Sequence, residues 1–464
     1  MPRILIRSHK APFTVADAET TYDRNLIGNN TGNLVFSQSV YRLLSTAGAE
    51  LSTSGLGKSK AKSINADYDH VVLPLANAFR PGYERTLDVF STLIEQLTVP
   101  VTVVGVGAQA SIEGNYKNAE SVRAATSRFV KAVLDRSPSI GVRGEFTAEF
   151  LAELGFGDEH VRVIGCPSMF MYGPDFSVSK KVDALTRESP IALNVSPYVP
   201  EMGRISLYAA EHYPNLVYMA QNIQTLELML HGTYPMGKKG TMLRTGVPVT
   251  LQHPLIRQNR VRFFVDPKTW FAHLANYDFS YGTRIHGNIA ALLAGTPALL
   301  LAHDSRTLEL AHYHEIPHRE IGSLPADADP VALYASCHWE PMNTGHPLRW
   351  DRFAAFLSEH QLEQVYGPGG DHGRAFDERL AATDLPGPVE TLMGLEPEEL
   401  YAMKRAMTNL GAQFERTLAE LTTARAQPSA AVPSNTKKTA SPTGRLWVRA
   451  WNKIDRTIRR VITS

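Results

Sequence analysis

The feature that most constrains the fold is a repeated alternation of short apolar runs with longer amphipathic stretches. Runs such as Val101 to Val106 have the length of buried strands, and stretches such as Ala119 to Leu134 have the apolar spacing of helices that cover a sheet. This alternation is typical of parallel sheets with helices on their faces. It occurs twice, in residues 1–175 and 185–365. The sequence therefore predicts an α/β fold with two tandem Rossmann-like domains and a cleft between them.

The predicted strands all end where a turn or a helical pattern begins. They are Arg3 to Arg7, Asp69 to Leu75, Val101 to Val106, Ser139 to Val142, Val161 to Ile164, Ile191 to Val195, Leu216 to Met219, Val261 to Val265, Phe279 to Tyr281 and Ala298 to Leu301. Because parallel strands place their carboxyl ends at one edge of a sheet, residues that follow these strands are the natural candidates for ligand contact.

The chain after the second domain changes in character. Residues 366–425 are predicted to form a helical extension, and residues 426–444, rich in Pro, Ser, Thr and Ala, are predicted to be a disordered linker. Residues 445–464 contain six Lys or Arg and one acidic residue, Asp455. Wound as a helix, this segment has one apolar stripe with two tryptophans, which favours binding to an anionic membrane surface. A helix that docks on a protein chain is the alternative.

The composition excludes several classes of protein. Lys+Arg number 47 and Asp+Glu 46, a net charge of +1, so no general attraction to nucleic acid is expected. The two cysteines, Cys166 and Cys337, have no CxxC or Cys/His spacing, so neither a disulfide framework nor a zinc site is indicated. No signal-peptide pattern or long apolar run is evident, and a cytoplasmic location is therefore expected.

One turn combines the residue types needed for anion binding and proton transfer. In "GTRIHGNIAALLAGTPALLL", Gly282 and Thr283 form the turn, and Arg284 and His286 lie in the first turn of the helix. Free N–H groups at a helix start attract anions, and a guanidinium suits a carboxylate or phosphate. An imidazole exchanges protons near neutral pH. A simple helix cap or surface ion pair is the alternative interpretation.

Further candidate substrate-binding residues lie in glycine-rich loops or after predicted strands. They are Asn25, Gly28, Asn29, Gly107, Gln109, Arg143, Asn194, Arg204, Asp304 and Arg306. The histidines of "HDSR" and "HYHEIPH" are interpreted as solvated surface, so no metal site is predicted.

The chain resembles the polysaccharide pyruvyl transferases. The resemblance rests on the Arg284 turn with its Ala-rich helix and Gly-x-Pro, and on the segments "LIGNNTGN", "VGVGAQ", "GVRGEFTAEFLAELGFG" and "VIGCPSMF". Together they cover roughly residues 20 to 320. The resemblance implies a GT-B-like fold and transfer of pyruvate from phosphoenolpyruvate onto two sugar hydroxyls to form a cyclic ketal. It also implies that Arg284 holds the donor and that His286 is the catalytic acid or base, with no cofactor beyond the donor substrate.

The chain departs from the family pattern at several positions. Asn33 stands where many members have Asp, and Cys166, Pro167 and Ser168 stand where many have Asp-Pro-Ala. A second donor-binding arginine is not fixed by the resemblance, with Arg204 and Arg306 as candidates.

The sequence therefore predicts a pyruvyl transferase that acts on a glycan or lipid-linked sugar, placed in the cytoplasm with peripheral attachment to the inner face of the membrane. A glycosyltransferase that uses a nucleotide sugar and a non-catalytic membrane-associated scaffold are the alternatives. The sequence does not indicate an oligomeric state.

Overall fold

A computed structural model describes residues 1–57, 60–110, 119–232, 234 and 246–395, and the single positions 398, 405, 409, 412 and 416. The predicted linker at 426–444 and the predicted basic helix at 445–464 lie outside the described residues, as does most of the predicted helical extension (366–425) beyond residue 395. Residues 1–393 form one compact unit, and residues 394–464 belong to a second.

The strands follow the predicted apolar runs closely and include two that were not predicted. They are β1 Arg3–Arg7, β2 Glu50–Ser54, β3 His70–Pro74, β4 Val101–Val104, β5 Ile140–Val142, β6 Val161–Val163, β7 Ile191–Asn194, β8 Leu216–Ala220, β9 Val261–Phe263, β10 Phe279–Gly282, β11 Ala298–Ala302 and β12 His318–Glu320.

Helices connect these strands and continue after the last of them. They are α1 Ala18–Arg24, α2 Gly32–Leu44, α3 Ala61–Asp67, α4 Glu84–Ile94, α5 Ala119–Leu134, α6 Glu145–Ala152, α7 Glu201–His212, α8 Ile223–His231, α9 Pro254–Arg257, α10 Pro267–Leu274, α11 Ile285–Leu293, α12 Ser305–His314, α13 Pro330–Ala335, α14 Glu340–Glu359 and α15 Arg374–Ala381.

The first half of the chain forms a parallel sheet in the order β2-β1-β3-β4. A separate parallel pair, β5-β6, continues it through a bridge between Val106 and Val142. The strands β3 and β4 are buried along their whole length, as expected for a parallel sheet covered by helices on both faces.

The second half forms a six-stranded parallel sheet in the order β12-β11-β10-β7-β8-β9. Its strand order reverses between β7 and β10, which makes this the switch point of a doubly wound sheet. Ligands of such sheets bind outside the carboxyl ends of the strands at that point. The predicted α/β architecture with two Rossmann-like domains in tandem is confirmed.

Two helices tie the halves together. The apolar face of α2 contributes Leu34, Val35 and Phe36 to the core of the second half. Helix α14 follows the second sheet in the chain, yet its Phe353 and Phe356 pack in a cluster with residues of β1, β3 and β4. The predicted domain limits at 175, 185 and 365 stay predictions, because residues 1–393 form a single compact unit.

Candidate active site

The turn between β10 and α11 can be built only with glycine at its first position. Gly282 has φ +142°, and a Cβ there would lie 1.8 Å from the carbonyl oxygen of Asn194. Gly282 is also the register partner of Asn194, so the ends of β10 and β7 meet at the switch point. The turn therefore begins where a doubly wound sheet binds its ligand.

A buried set of amides holds this turn. The Asn194 side chain donates from Nδ2 to Oδ1 of Asn288 at 2.8 Å and accepts the backbone N–H of Arg284 at 2.7 Å. The Thr283 hydroxyl accepts the backbone N–H of Ser196 at 2.8 Å. Asn194 and Thr283 were predicted to contact substrate, but both are buried and their polar atoms hold the turn in place.

His286 lies between the two halves of the molecule. It is half-buried in the first turn of α11, as predicted. Its Nε2 is 3.7 Å from Sγ of Cys166, and its ring meets the ring of Phe36 edge to face at 5.8 Å. A Cβ on Gly32 would lie 2.7 Å from the Cβ of His286, so the first half approaches the histidine closely. The imidazole thus lies where the two halves of the molecule contact each other.

The surroundings of His286 keep the ring neutral. Burial, followed by the positive charges of Arg143, Arg306 and Arg284, lowers the pKa of His286 to about 3. The ring therefore carries no charge at neutral pH. Its lone pair is free, but burial and the nearby cations disfavour the protonated form, so the ring is a weak base while they are not offset by an anion.

Arg284 is linked through Asn222 to the loop of the first half that precedes α2. Its Nη2 donates to Oδ1 of Asn222, which also accepts from Nδ2 of Asn30 at 2.9 Å. Its Nε is buried and has no hydrogen-bond partner among the described residues. Burial lowers the pKa of Arg284 to about 10, and the nearby Tyr218 opposes this shift. The guanidinium stays charged at neutral pH.

Arg143 reaches the same region from the end of β5. It is 3% exposed, and within the described part of the chain no group accepts a hydrogen bond from its Nε. A Cβ on Gly107 would lie 2.1 Å from this Nε, so the glycine makes room for the guanidinium. Burial lowers the pKa of Arg143 to about 10, although the carboxylate of Glu309 favours the charge. The predicted residues Arg143 and Gly107 are therefore in direct contact.

Asp304, Arg306 and Gln109 join the two halves beside this cluster. Asp304 caps α12, accepts from Gln109 Nε2 at 3.2 Å and pairs with Arg306 at 3.3 Å. Burial alone would raise the pKa of Asp304, but Arg306, His303 and the Thr307 N–H lower it to about 2. For the atoms that the structure describes, the buried Nε of Arg306 has no partner.

The predicted loop at Asn25, Gly28 and Asn29 is a tight structure with positive φ at all three residues. Oδ1 of Asn25 accepts the N–H of Asn29 at 2.7 Å. The carbonyl of Asn29 accepts the N–H of Ile223 at 3.1 Å, so the loop docks on the second half. Asn33 donates from Nδ2 to the carbonyls of Ile27 and Gly28, which a carboxylate could not do.

Arg204 is not brought to this cluster. It lies on α7 with an exposed side chain, and no contact among the described residues joins it to His286 or Arg284. Of the two arginines suggested by the resemblance, only Arg306 lies beside the histidine.

Sequence reasoning missed the residues that follow β8. Gln221 is 2% exposed, and neither Oε1 nor Nε2 has a partner within the described residues. A Cβ added to Gly287 would lie 2.4 Å from this Nε2, so the amide is close to the first turn of α11. Gln221 and Asn222 directly follow the carboxyl end of a strand, and that rule alone could have identified them. Asn288, four residues after Arg284, was also missed.

The described residues contain no group of three or more His, Cys, Asp or Glu side chains that could hold a metal ion. In the same part of the chain, no helix combines the length and apolarity that crossing a membrane requires.

Comparison with known proteins gives one family match. The family model described as "Polysaccharide pyruvyl transferase" matches residues 6–305. A search of curated proteins finds no match.

Several solved structures are distantly similar. The S. aureus MnaA–UDP co-structure is 13% identical with a TM-score of 0.38, covering 83% of this chain and 99% of that one. Anabaena Alr3699/HepE in complex with UDP and glucose is 12% identical with a TM-score of 0.38, covering 82% and 100%. Methanocaldococcus jannaschii UDP-GlcNAc 2-epimerase, in complex with UDP-GlcNAc and UDP, is 10% identical with a TM-score of 0.41, covering 77% and 99%. At these scores the similarity does not extend to function.

Proposed function

Because the chain belongs to the polysaccharide pyruvyl transferase family, we propose that it transfers pyruvate from phosphoenolpyruvate onto two hydroxyls of a glycan, forming a cyclic ketal. The observation that carries the proposal is the arrangement of three arginines, Arg143, Arg284 and Arg306, around the neutral imidazole of His286. A donor with both a carboxylate and a phosphate requires several fixed cationic groups of this type.

The donor binds between the arginines and the start of α11. The Nε atoms of Arg143, Arg284 and Arg306 are buried without partners among the described residues, which is costly unless a ligand supplies acceptors. The free N–H groups of the first helical turn add a positively polarised end to the same site. Phosphate and carboxylate oxygens match both kinds of donor.

His286 carries the proton that the reaction must move. Oxygen of the first sugar hydroxyl bonds to C2 of the donor, and its proton passes to the imidazole and from there to C3, which becomes the methyl group. The bond from C2 to the phosphate oxygen then breaks. Oxygen of the second hydroxyl bonds to C2, and its proton leaves with the phosphate. General acid–base help of this kind contributes about 10²- to 10⁴-fold.

Donor binding itself prepares the imidazole for this role. The three arginines and burial lower the pKa of His286 to about 3 in the free protein. A bound anion with two or three negative charges offsets those cations and raises the pKa. The ring therefore becomes a competent base only when the donor is present, which limits reaction without it.

The acceptor is proposed to be a polysaccharide or lipid-linked sugar at the inner face of a membrane. The basic segment 445–464 supports this location by its composition. Deleting residues 445–464 is expected to weaken co-sedimentation with anionic liposomes and to spare activity on a soluble acceptor. Liposomes of uncharged lipid are the control, and equal sedimentation with and without the segment contradicts membrane attachment.

The function is tested by incubating the protein with phosphoenolpyruvate or with nucleotide sugars, each with extracted polyprenol-linked glycans. Phosphate release from phosphoenolpyruvate, with the mass of a pyruvyl ketal on the glycan, is the expected result. Sugar transfer from a nucleotide instead identifies a glycosyltransferase. Ligand binding without turnover in either reaction identifies a scaffold.

A further inference from the structure

Cys166 touches the imidazole that the proposed reaction depends on. It follows β6 at the start of a short 3₁₀ turn, Pro167–Phe170, and is 2% exposed. Its Sγ lies 3.7 Å from Nε2 of His286, within the range of a sulfur hydrogen bond. The contact joins the first half of the molecule to the second, so a residue of the first half holds the histidine of the second.

The cysteine is itself held rigidly. Its backbone N–H donates to Nε2 of His314 at 2.8 Å. His314 is 1% exposed, so the interpretation of the "HYHEIPH" histidines as solvated surface is wrong for this residue. Burial raises the pKa of the Cys166 thiol, although hydrogen bonds from Ser168 and Met169 oppose this shift. The sulfur is therefore an uncharged thiol in a fixed position and not an exposed nucleophile.

The surroundings of the ring determine which of its nitrogens carries the proton. A neutral imidazole has one N–H and one lone pair. The guanidinium groups of Arg143, Arg284 and Arg306 all lie near the ring, and their charge favours a lone pair over an N–H toward them. Sγ of Cys166 is the atom that the structure places at Nε2, and a thiol sulfur can accept an N–H there or donate its own S–H.

We propose that Cys166 is a positioning residue whose sulfur accepts the Nε2–H of His286. This contact fixes the tautomer in which Nδ1 presents its lone pair to the acceptor hydroxyl. The catalytic part of this inference rests on the proposed function, whereas the tautomer is a property of the free protein.

The tautomer is measured on the full chain labelled with ¹⁵N in its histidine rings, with His286→Asn used to assign the His286 signals. A protonated Nε2 and an unprotonated Nδ1 are expected in the free protein. Cys166→Ala is expected to give a mixture of tautomers, and Cys166→Ser to keep the original one because oxygen also accepts. A proton on Nδ1 in the unmodified protein overturns the proposal without requiring any variant to fold.

Kinetics provide the second measurement. Cys166→Ala is expected to lower kcat about 10- to 100-fold, as misplacement of a catalytic group does, with KM for phosphoenolpyruvate changed less than about threefold because the arginines remain. Cys166→Ser should recover much of the loss. The matched control is Cys337→Ala, which removes the other buried cysteine, whose Sγ contacts the carbonyl of Leu333. An unchanged kcat in Cys166→Ala overturns the positioning role.

The two measurements separate this proposal from the proposed function. If the tautomer depends on Cys166 while phosphoenolpyruvate gives no product, the proposed function fails and the positioning contact stands. If pyruvyl transfer occurs but neither the tautomer nor kcat responds to Cys166→Ala, the proposed function stands and the positioning role fails.

Discussion

Two histidines of this molecule both have a lowered pKa but lie in different kinds of environment. Burial lowers the pKa of His360 to about 4, much as burial and arginines lower that of His286 to about 3. His360 contacts the hydroxyls of Thr102 through Nδ1 and Ser139 through Nε2, both at 3.0 Å. Thr102 in turn contacts Nε2 of His70 at 2.8 Å. This network joins the end of α14 to the first sheet. Within it, both ring nitrogens of His360 have a hydrogen-bond partner.

The cluster at His286 is different because some of its buried polar atoms have no partner among the described residues, although Arg284 Nη2 binds Asn222 and Arg306 pairs with Asp304. Arg143, Arg284, Arg306 and Gln221 each have a buried side-chain atom without a partner among the described residues. An unpaired buried polar group costs about 1–3 kcal/mol. A lowered histidine pKa therefore occurs both in the structural network at His360 and in the candidate active site at His286. Buried donors without partners distinguish the candidate active site from the network.

The largest expected effect is a difference in turnover between variants of the two histidines. His286→Ala is expected to reduce turnover by about 10²- to 10⁴-fold, because the proton carrier is lost, with donor affinity within a few-fold. His360→Ala should keep turnover near the original value. Both rates are measured by phosphate release. Substantial turnover in His286→Ala contradicts the assignment of the catalytic residue.

The next effect concerns two buried arginines. Arg143→Met removes a guanidinium whose buried Nε has no partner among the described residues, and is expected to raise KM for phosphoenolpyruvate about 10- to 100-fold, since a hydrogen bond to a charged group contributes about 1.5–3 kcal/mol. The thermal midpoint should fall less than in a variant that removes a fully paired arginine, because Nε loses no internal partner. Enzyme kinetics and thermal unfolding are both measured.

The matched control for Arg143 is Arg42. This buried arginine is fully paired, with Asp377, Tyr366 and two backbone carbonyls as acceptors. Arg42→Met is expected to lower the thermal midpoint and to leave KM unchanged. If the two variants behave alike, unpaired donors do not mark the site.

A smaller effect is expected from the glycine that accommodates Arg143. Gly107→Ala places a Cβ where Arg143 Nε now lies, so the guanidinium must move and KM for phosphoenolpyruvate should rise about tenfold, the equivalent of about 1.4 kcal/mol. Gly55→Ala, which has nothing within 4 Å of its added Cβ, is the control. Equal kinetics in both variants would show that the position of Arg143 is unimportant.

The last expected effect does not concern activity but the pH dependence of stability. Because the pKa of His360 in the folded protein, about 4, lies below its ordinary value, the unfolded chain binds the proton more readily. The contribution of this histidine is complete above its ordinary pKa and decreases as the pH falls toward 4, by at most about 1.4 kcal/mol per pH unit. We therefore expect the free energy of unfolding, measured with urea, to differ less between pH 7 and pH 5 in His360→Ala than in the original protein. If the difference between pH 7 and pH 5 is the same in both proteins, the lowered pKa of His360 is contradicted.

The sequence predicted the elements that are buried on both sides. β4 and β11 were found because their apolar runs are continuous, and the start of α11 because a glycine turn precedes it. The edge strands β2 and β12 were missed because their residues, ELSTS and HRE, are largely polar and pair on one side only. α14 was missed because it contains Pro347, yet Trp350 and Phe353 pack it firmly on the first half.

At the site, the sequence identified Arg284 and His286 because a strand, a turn and a helix start are local features. It could not reveal that Cys166 contacts His286, which lies 120 residues later in the chain. It also could not reveal that the side chain of Asn194 forms its hydrogen bonds within the turn. Such contacts depend on how the two halves meet, which no local spacing encodes.

The path of α14 has a mechanical consequence. The chain leaves the first half after β6 and returns to it through α14, so two covalent tethers connect the bodies that flank His286. Because two connections rather than one join the halves, the imidazole of His286 has fewer ways to shift relative to Cys166, which contacts it from the other half.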